Sequence, residues 1–183
     1  MNFSWTAHRF AGGALALDVA NSVVLRHDEA RRVDRFGVEA QLLSFPKAAA
    51  EFSAERAIFG DVVLTAPKDK QAFIALREAT DRYFRSRVLC GHEEALLADL
   101  LEAITRVLRG GSAANGVDRA TAHSALRLIA TPENERMKIC GNCGWLFLDR
   151  SKNRSRTWCD MSVCGNRVKA SRHYHRSRKE AAS

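Results

Sequence analysis

Apolar residues recur at helical spacing through most of this chain, and the rhythm breaks only in its last quarter. Leu17, Ala20, Asn21 and Val24 follow the i, i+3, i+4, i+7 pattern of one helix face, which predicts a first helix over residues 14–26. That pattern places an amide, Asn21, inside an apolar stripe, with Asp18 one turn away. Upstream, Trp5 and Phe10 precede the turn signal Gly12-Gly13, so an extended arm or short strand leads in. Residues 27–35 are charged and read as loop, with Asp34 opening the next piece. Residues 38–45 read as a helix ending at Pro46, because the residue before proline is pushed out of the α region. The Ala-rich stretch 47–59 predicts another helix, and the β-branched run 61–66 a short strand.

Three stronger periods follow. Ala72, Leu76, Ala79 and Tyr83 form one stripe of a helix over 68–88. Leu97, Leu100, Leu101, Ile104 and Leu108 do the same over 92–108, with Glu93-Glu94 where a first turn favours acids and Gly110 at the end. Asp118 reads as the N-cap of a helix carrying Ala122, Ala125, Leu126 and Ile129, closed by Thr131-Pro132. The expected fold is mainly α: a multihelical N-terminal domain over 1–131, then a small C-terminal module over 132–183.

That module is set by four cysteines, Cys140, Cys143, Cys159 and Cys164, at C-x2-C, fifteen intervening residues, then C-x4-C. Pairs this short let both sulfurs face one ion, and the fifteen residues are long enough for a hairpin that returns the second pair. A thioredoxin-like pair would want a βαβ unit, and a c-type haem would want His where Gly144 stands. An iron–sulfur cluster stays open on spacing alone, while zinc is the preferred reading. Four thiolates fill a tetrahedral ion, so the zinc is structural rather than catalytic. Trp145 and Phe147 fall on one side of the following strand, Leu146 and Leu148 on the other. Asp149 is expected to orient Arg156 or cap a turn. The fifth cysteine, Cys90, reads as a small buried apolar residue.

The formal net charge of +8 sits entirely on residues 138–183, which hold 11 Lys and Arg against 3 acids, and 11 − 3 = +8. The remaining residues balance at 18 of each sign. A helix is expected after Cys164, capped by Asn166. On it Lys169, Arg172, Arg176 and Lys179 fall at i, i+3, i+7 and i+10, with Arg167 and Arg178 flanking. Stacked like charges destabilise an isolated helix, so this face suits phosphates. Arg167 and the loop residues Arg154 and Arg156 are expected to reach base edges of duplex DNA. The alternative is a zinc-stabilised RNA-binding or protein-interaction module.

No apolar run approaches the ~20 residues that span a bilayer, and the N-terminus lacks the pattern of a signal peptide. Metal-spaced cysteines fit a reducing cytoplasm. No nucleophile–base constellation or phosphate-cradling Gly loop is present in the sequence, so no enzyme is expected.

Cys164-Gly165-Asn166-Arg167, preceded by Phe147-Leu148-Asp149 and Arg156-Thr157-Trp158-Cys159-Asp160-Met161, is similar to the CGNR zinc-finger family of bacterial proteins. The likeness implies a DNA-binding finger on a transcription regulator, joined to an N-terminal helical module called ABATE. Leu17-Asp18-Val19-Ala20-Asn21-Ser22 resembles the opening motif of that module, with Ser22 where Thr recurs. The resemblance implies a helical domain that senses a small-molecule ligand or forms a homodimer. Asp18 and Asn21 are then candidates for a ligand pocket, against the plainer reading of a polar pin to a neighbouring loop.

Overall fold

The computed structural model describes residues 3–110, 113–131 and 136–180, apart from the side chains of residues 172, 173, 175, 179 and 180. Helix α1, Leu15–Ala20, is its axis, and all six of its residues are buried. A helix covered all round belongs inside a core, and α1 packs against α4 (Lys70–Leu89) and α6 (Val117–Ala130), with α5 (Glu94–Arg109) across α4 and α6. The spacing predicts α1 to residue 26, but it stops at Ala20. Asn21 caps it and turns its amide toward the C-terminal module. The β-branched Val23–Val24 become β1, paired antiparallel with β2, Val33–Asp34.

Pro46 does not end a helix. It lies inside α2, Glu39–Phe52, so residues 39–52 form one helix, followed by the short α3, Arg56–Phe59. An interior proline costs about 3 kcal/mol through a lost hydrogen bond and a crowded turn. Here Leu42 and Phe45 before it and Ala48 and Ala49 after it are buried in one cluster, and a break would pull half of them out. That cluster is aromatic: Phe36 lies 5.0 Å from Phe45 and 5.6 Å from Phe73, ring centre to ring centre. Asp34 opens the turn Arg35–Gly37 by accepting from the N–H groups of Phe36 and Gly37.

The predicted strand over 61–66 reduces to a single parallel bridge between Val63 and Gly116. Gly116, not Asp118, is the N-cap of α6, and Asp118 is buried within the first turn. Thr131 ends that helix, while Pro132 lies outside the described residues. On α5 the buried face is Leu100, Ala103, Ile104 and Val107, and Leu101 is 41% exposed. Cys90 is exposed at the end of α4 rather than buried.

The C-terminal module is a hairpin of β3, Met137–Ile139, and β4, Leu146–Leu148, with Ile139 opposite Leu146 and Met137 opposite Leu148. The hairpin brackets the first cysteine pair; of the fifteen residues between the pairs, 146–148 form β4 and 149–158 return as a loop. Helix α7, Asn166–Glu180, is the last described element. Among the described residues the fold is seven α-helices and two two-stranded sheets. Among the described residues no helix is long and apolar enough to cross a membrane.

Candidate metal centre

The alternation along β4 gives the hairpin two jobs. Leu146 and Leu148, with Met137, enter the core of α1, α4, α5 and α6. Trp145 and Phe147 face the other way and pack with Cys140, Cys143, Cys159 and Cys164. The first knuckle is closed by two backbone bonds: Cys140 donates to Trp145 O at 2.8 Å and Gly144 donates to Cys140 O at 2.9 Å. Gly144 has φ +74, a left-handed conformation that glycine adopts without strain.

All four sulfurs lie within 4.8 Å of one another. Cys143 Sγ is 3.7 Å from Cys159 Sγ, which is 3.7 Å from Cys164 Sγ. A tetrahedral zinc with Zn–S of about 2.3 Å puts its sulfurs about 3.8 Å apart, so the cage has the size of the ion. Without a cation, buried thiols cannot all ionise together. The Cys140 thiol is pushed down because Cys143 and Cys159 donate to it, and those two are pushed up for the same reason. A dication removes that conflict, since it stabilises all four thiolates at once. No position is left for water or substrate, so the zinc such a cage holds is structural.

Asp149, at the end of β4, fixes the return loop. Its carboxylate accepts from Ser151 N at 3.0 Å, Ser151 Oγ at 2.6 Å, Arg156 N at 2.8 Å and Lys138 Nζ at 2.8 Å. Burial pulls this carboxyl upward, but Lys138, Ser151 and the backbone donors outweigh it and hold it well below the usual carboxylate range. Lys138 also donates to the carbonyls of Arg154 and Arg156, holding the left-handed turn at Arg154, φ 48. Asp160 does the corresponding work for the second pair. It accepts from Ser162 N at 2.8 Å and Val163 N at 3.4 Å and starts the wide turn Met161–Gly165 that carries Cys164 and leads into α7. Asn166 is the first residue of α7 and bonds back to Ser162 O, so the capping role expected of it belongs to Asp160.

Polar bonds from three segments of the helical body fasten the module to it. Asn21 pairs with both backbone groups of Leu146, and Leu148 N donates to Gly12 O. Arg85 donates to Gly144 O, Arg150 donates to Gly13 O, and His8 Nδ1 meets Asp160 Oδ2 at 3.0 Å. His8 and Asp160 had no local signal marking them as partners. An Asp two residues before a Ser is an Asx-turn signature, which points to Asp160 as a cap.

The predicted site residues separate into groups. The four cysteines converge. Arg154, Arg167, Lys169, Arg176 and Arg178 are exposed, and every described side chain of α7 from Lys169 onward is in solvent. The side chains of Arg172 and Lys179 lie outside the described residues. Arg156 is turned inward: its guanidinium donates to Cys159 O and sits 5.3 Å from the Phe147 ring centre. Asp18 and Asn21 are both buried, with Asp18 accepting from Gly12 N at 3.0 Å and Ser53 Oγ at 3.4 Å.

The fold and the sulfur cage together define a helical protein carrying a four-cysteine structural zinc finger. Residues 136–177 match the family model of the CGNR zinc finger. No curated protein matches the chain.

Proposed function

We propose that the chain binds duplex DNA through this finger and acts as a transcription regulator, with the helical body as the part that responds to a signal. The observation that carries the reading is α7: a helix whose described cations, Arg167, Lys169, Arg176 and Arg178, are all exposed, rooted on the turn that holds Cys164. Exposed cations on a fixed rod suit a polyphosphate, because each phosphate neutralised releases counterions. The exposed loop residue Arg154 supplies a second point of contact. Arg156 contributes by shaping that loop rather than by reaching bases.

The reading assigns no reaction to the chain, and places it in a reducing cytoplasm where thiols remain available to metal. A cleft of about 240 Å³ between body and finger, lined in part by Glu55, Arg127, Leu148 and Arg150, is where a small ligand would touch both parts. The internal bonds of Asp18 and Asn21 favour a structural role for that pair over direct ligand contact.

The test is fluorescence anisotropy of the zinc-loaded protein on duplex DNA across a salt series, beside Lys169→Gln/Arg176→Gln. The expected result is affinity falling steeply with salt, and a slope lower by about 0.9 for each phosphate that the variant no longer neutralises. A flat salt response, or preference for RNA in competition, would sink the DNA reading.

A further inference from the structure

The finger's cations do not stand alone at the foot of α7. The N-terminal turn Ala7–Phe10 is held there by His8, whose Nδ1 lies 3.0 Å from the Asp160 carboxylate that starts the turn into α7. The next residue is Arg9. Its guanidinium carbon lies 4.4 Å from the Phe3 ring centre, and that of Arg35 lies 4.4 Å from the same ring. The two guanidinium groups are therefore no more than about twice that distance apart, ordered around one aromatic ring.

Among the described residues neither Arg9 nor Arg35 has a carboxylate within ion-pair distance. Asp34, which precedes Arg35, is engaged with Arg77, and Asp160 is engaged with His8, the residue before Arg9. Arg9 spends its Nε on Ser4 O, and the Nε of Arg35 is buried without any partner. Arg167 stands in the first turn of α7, directly after the turn that Asp160 starts and His8 holds. In keeping with that placement, burial and then the charges of Arg35 and Arg167 push the Arg9 guanidinium below its ordinary value. Three arginines held together without a counter-charge repel one another, and an anion between them relieves that repulsion. Guanidinium forks suit phosphate oxygens in particular.

We propose that Arg9, Arg35 and Arg167 form a phosphate site that takes one backbone phosphodiester of the bound DNA, so that the helical body and the finger grip the same strand. This rests on the DNA reading above and extends the DNA-binding surface beyond the residues the finger supplies. It also gives the body a direct way to govern binding, since any shift of the N-terminal turn against α7 opens or closes the site.

The experiment uses the full zinc-loaded chain and the variants Arg9→Gln/Arg35→Gln and Arg9→Lys/Arg35→Lys, matched to wild type in circular dichroism and zinc content. On duplex DNA the Gln pair is expected to lower the slope of log K against log salt by about 0.9, the value of one neutralised phosphate, while the Lys pair keeps it. An unchanged slope in the Gln pair, with a reduced one in Lys169→Gln, overturns the proposal. If wild type binds no duplex, the DNA reading has failed separately, and inorganic phosphate becomes the deciding probe. A phosphate-dependent shift of the Arg35 Nε–Hε NMR signal, absent from the Gln pair, then supports a site for free phosphate, and no shift overturns it.

Discussion

Asn21 and Leu146 hold each other by both edges of one amide: Asn21 Nδ2 donates to Leu146 O at 2.9 Å, and Leu146 N donates to Asn21 Oδ1 at 3.0 Å. Asn21 is 3% exposed and Leu146 fully buried, so no water is at hand to replace either bond. Asn21→Ala leaves a buried N–H and a buried C=O unsatisfied, at about 1–3 kcal/mol each. The expected loss is about 2–6 kcal/mol in urea denaturation. A loss below about 1 kcal/mol would mean the joint between α1 and the finger is held elsewhere.

The cysteine cage is expected to carry the finger's own stability. Its cluster consists of the four cysteines with Trp145 and Phe147, edged by Ala11, Val24 and Trp158, too little apolar surface to fold without metal. One zinc per chain is expected by elemental analysis. Stripping it, or Cys140→Ser, should shift Trp145 and Trp158 emission to the red while most of the helical signal remains, because α1, α4, α5 and α6 keep their own core. Protons compete with zinc for thiolates, so chelator competition should find weaker binding at about pH 6 than at about pH 8. Emission unaffected by metal removal would overturn this account.

The metal centre was legible because cysteine spacing is a local code, and because the alternation Trp145-Leu146-Phe147-Leu148 assigns each side chain to a face before any partner is known. The long helices α4, α5 and α6 were legible for the same reason. What escaped sequence reading depends on distant partners. His8 and Asp160 are 152 residues apart. Pro46 stays in a helix because Phe45 and Ala49 are buried together in a core built from other segments. Arg156 looks like a DNA contact in sequence, yet Phe147 and the Cys159 carbonyl claim its guanidinium. Cys90 is exposed because α4 has already ended, and Gly91, at φ +98, turns the chain away.

Asp18 makes stability depend on pH in an unusual direction. Burial pushes its carboxyl well up, the Glu55 charge adds to this, and the bonds from Gly12 N and Ser53 Oγ only partly oppose it. With the folded value raised, the favourable contribution is complete below the unfolded value of about 3.9 and is lost as pH rises through the folded one. Asp18→Asn keeps an oxygen for Gly12 N and carries no charge. The variant should match wild type near pH 4 and be the more stable at about pH 7–8, measured by urea denaturation across that range. A variant less stable than wild type at about pH 8 would show that the Asp18 charge itself is needed.

Arg77 begins a chain of charges that ends at the zinc knuckle. It is 2% exposed and grips Asp34 through two bonds of 2.7 Å. Its Nε meets Glu78 at 2.8 Å, Glu78 meets Arg26 at 2.5 Å, and Arg26 approaches Asp81 at 3.4 Å, too poorly aligned for a hydrogen bond. Asp81 holds Arg85 at 2.7 Å, and Arg85 donates to Gly144 O at 3.0 Å. Removing one member of a buried pair typically costs about 3–5 kcal/mol, because the other charge is stranded. Asp34 keeps 35% of its side chain exposed, so Arg77→Met should fall at the low end, about 3 kcal/mol. Adding Asp34→Asn should recover part of that loss in a double-mutant cycle. Burial works against the Asp34 and Glu78 carboxylates, yet Arg77 and Arg26 hold both below their ordinary values. Their contribution is therefore present above about pH 4 and lost as pH falls through the lower folded values. Arg77→Met should flatten that acid limb, and an unaltered limb would place the acid sensitivity at Asp149 instead.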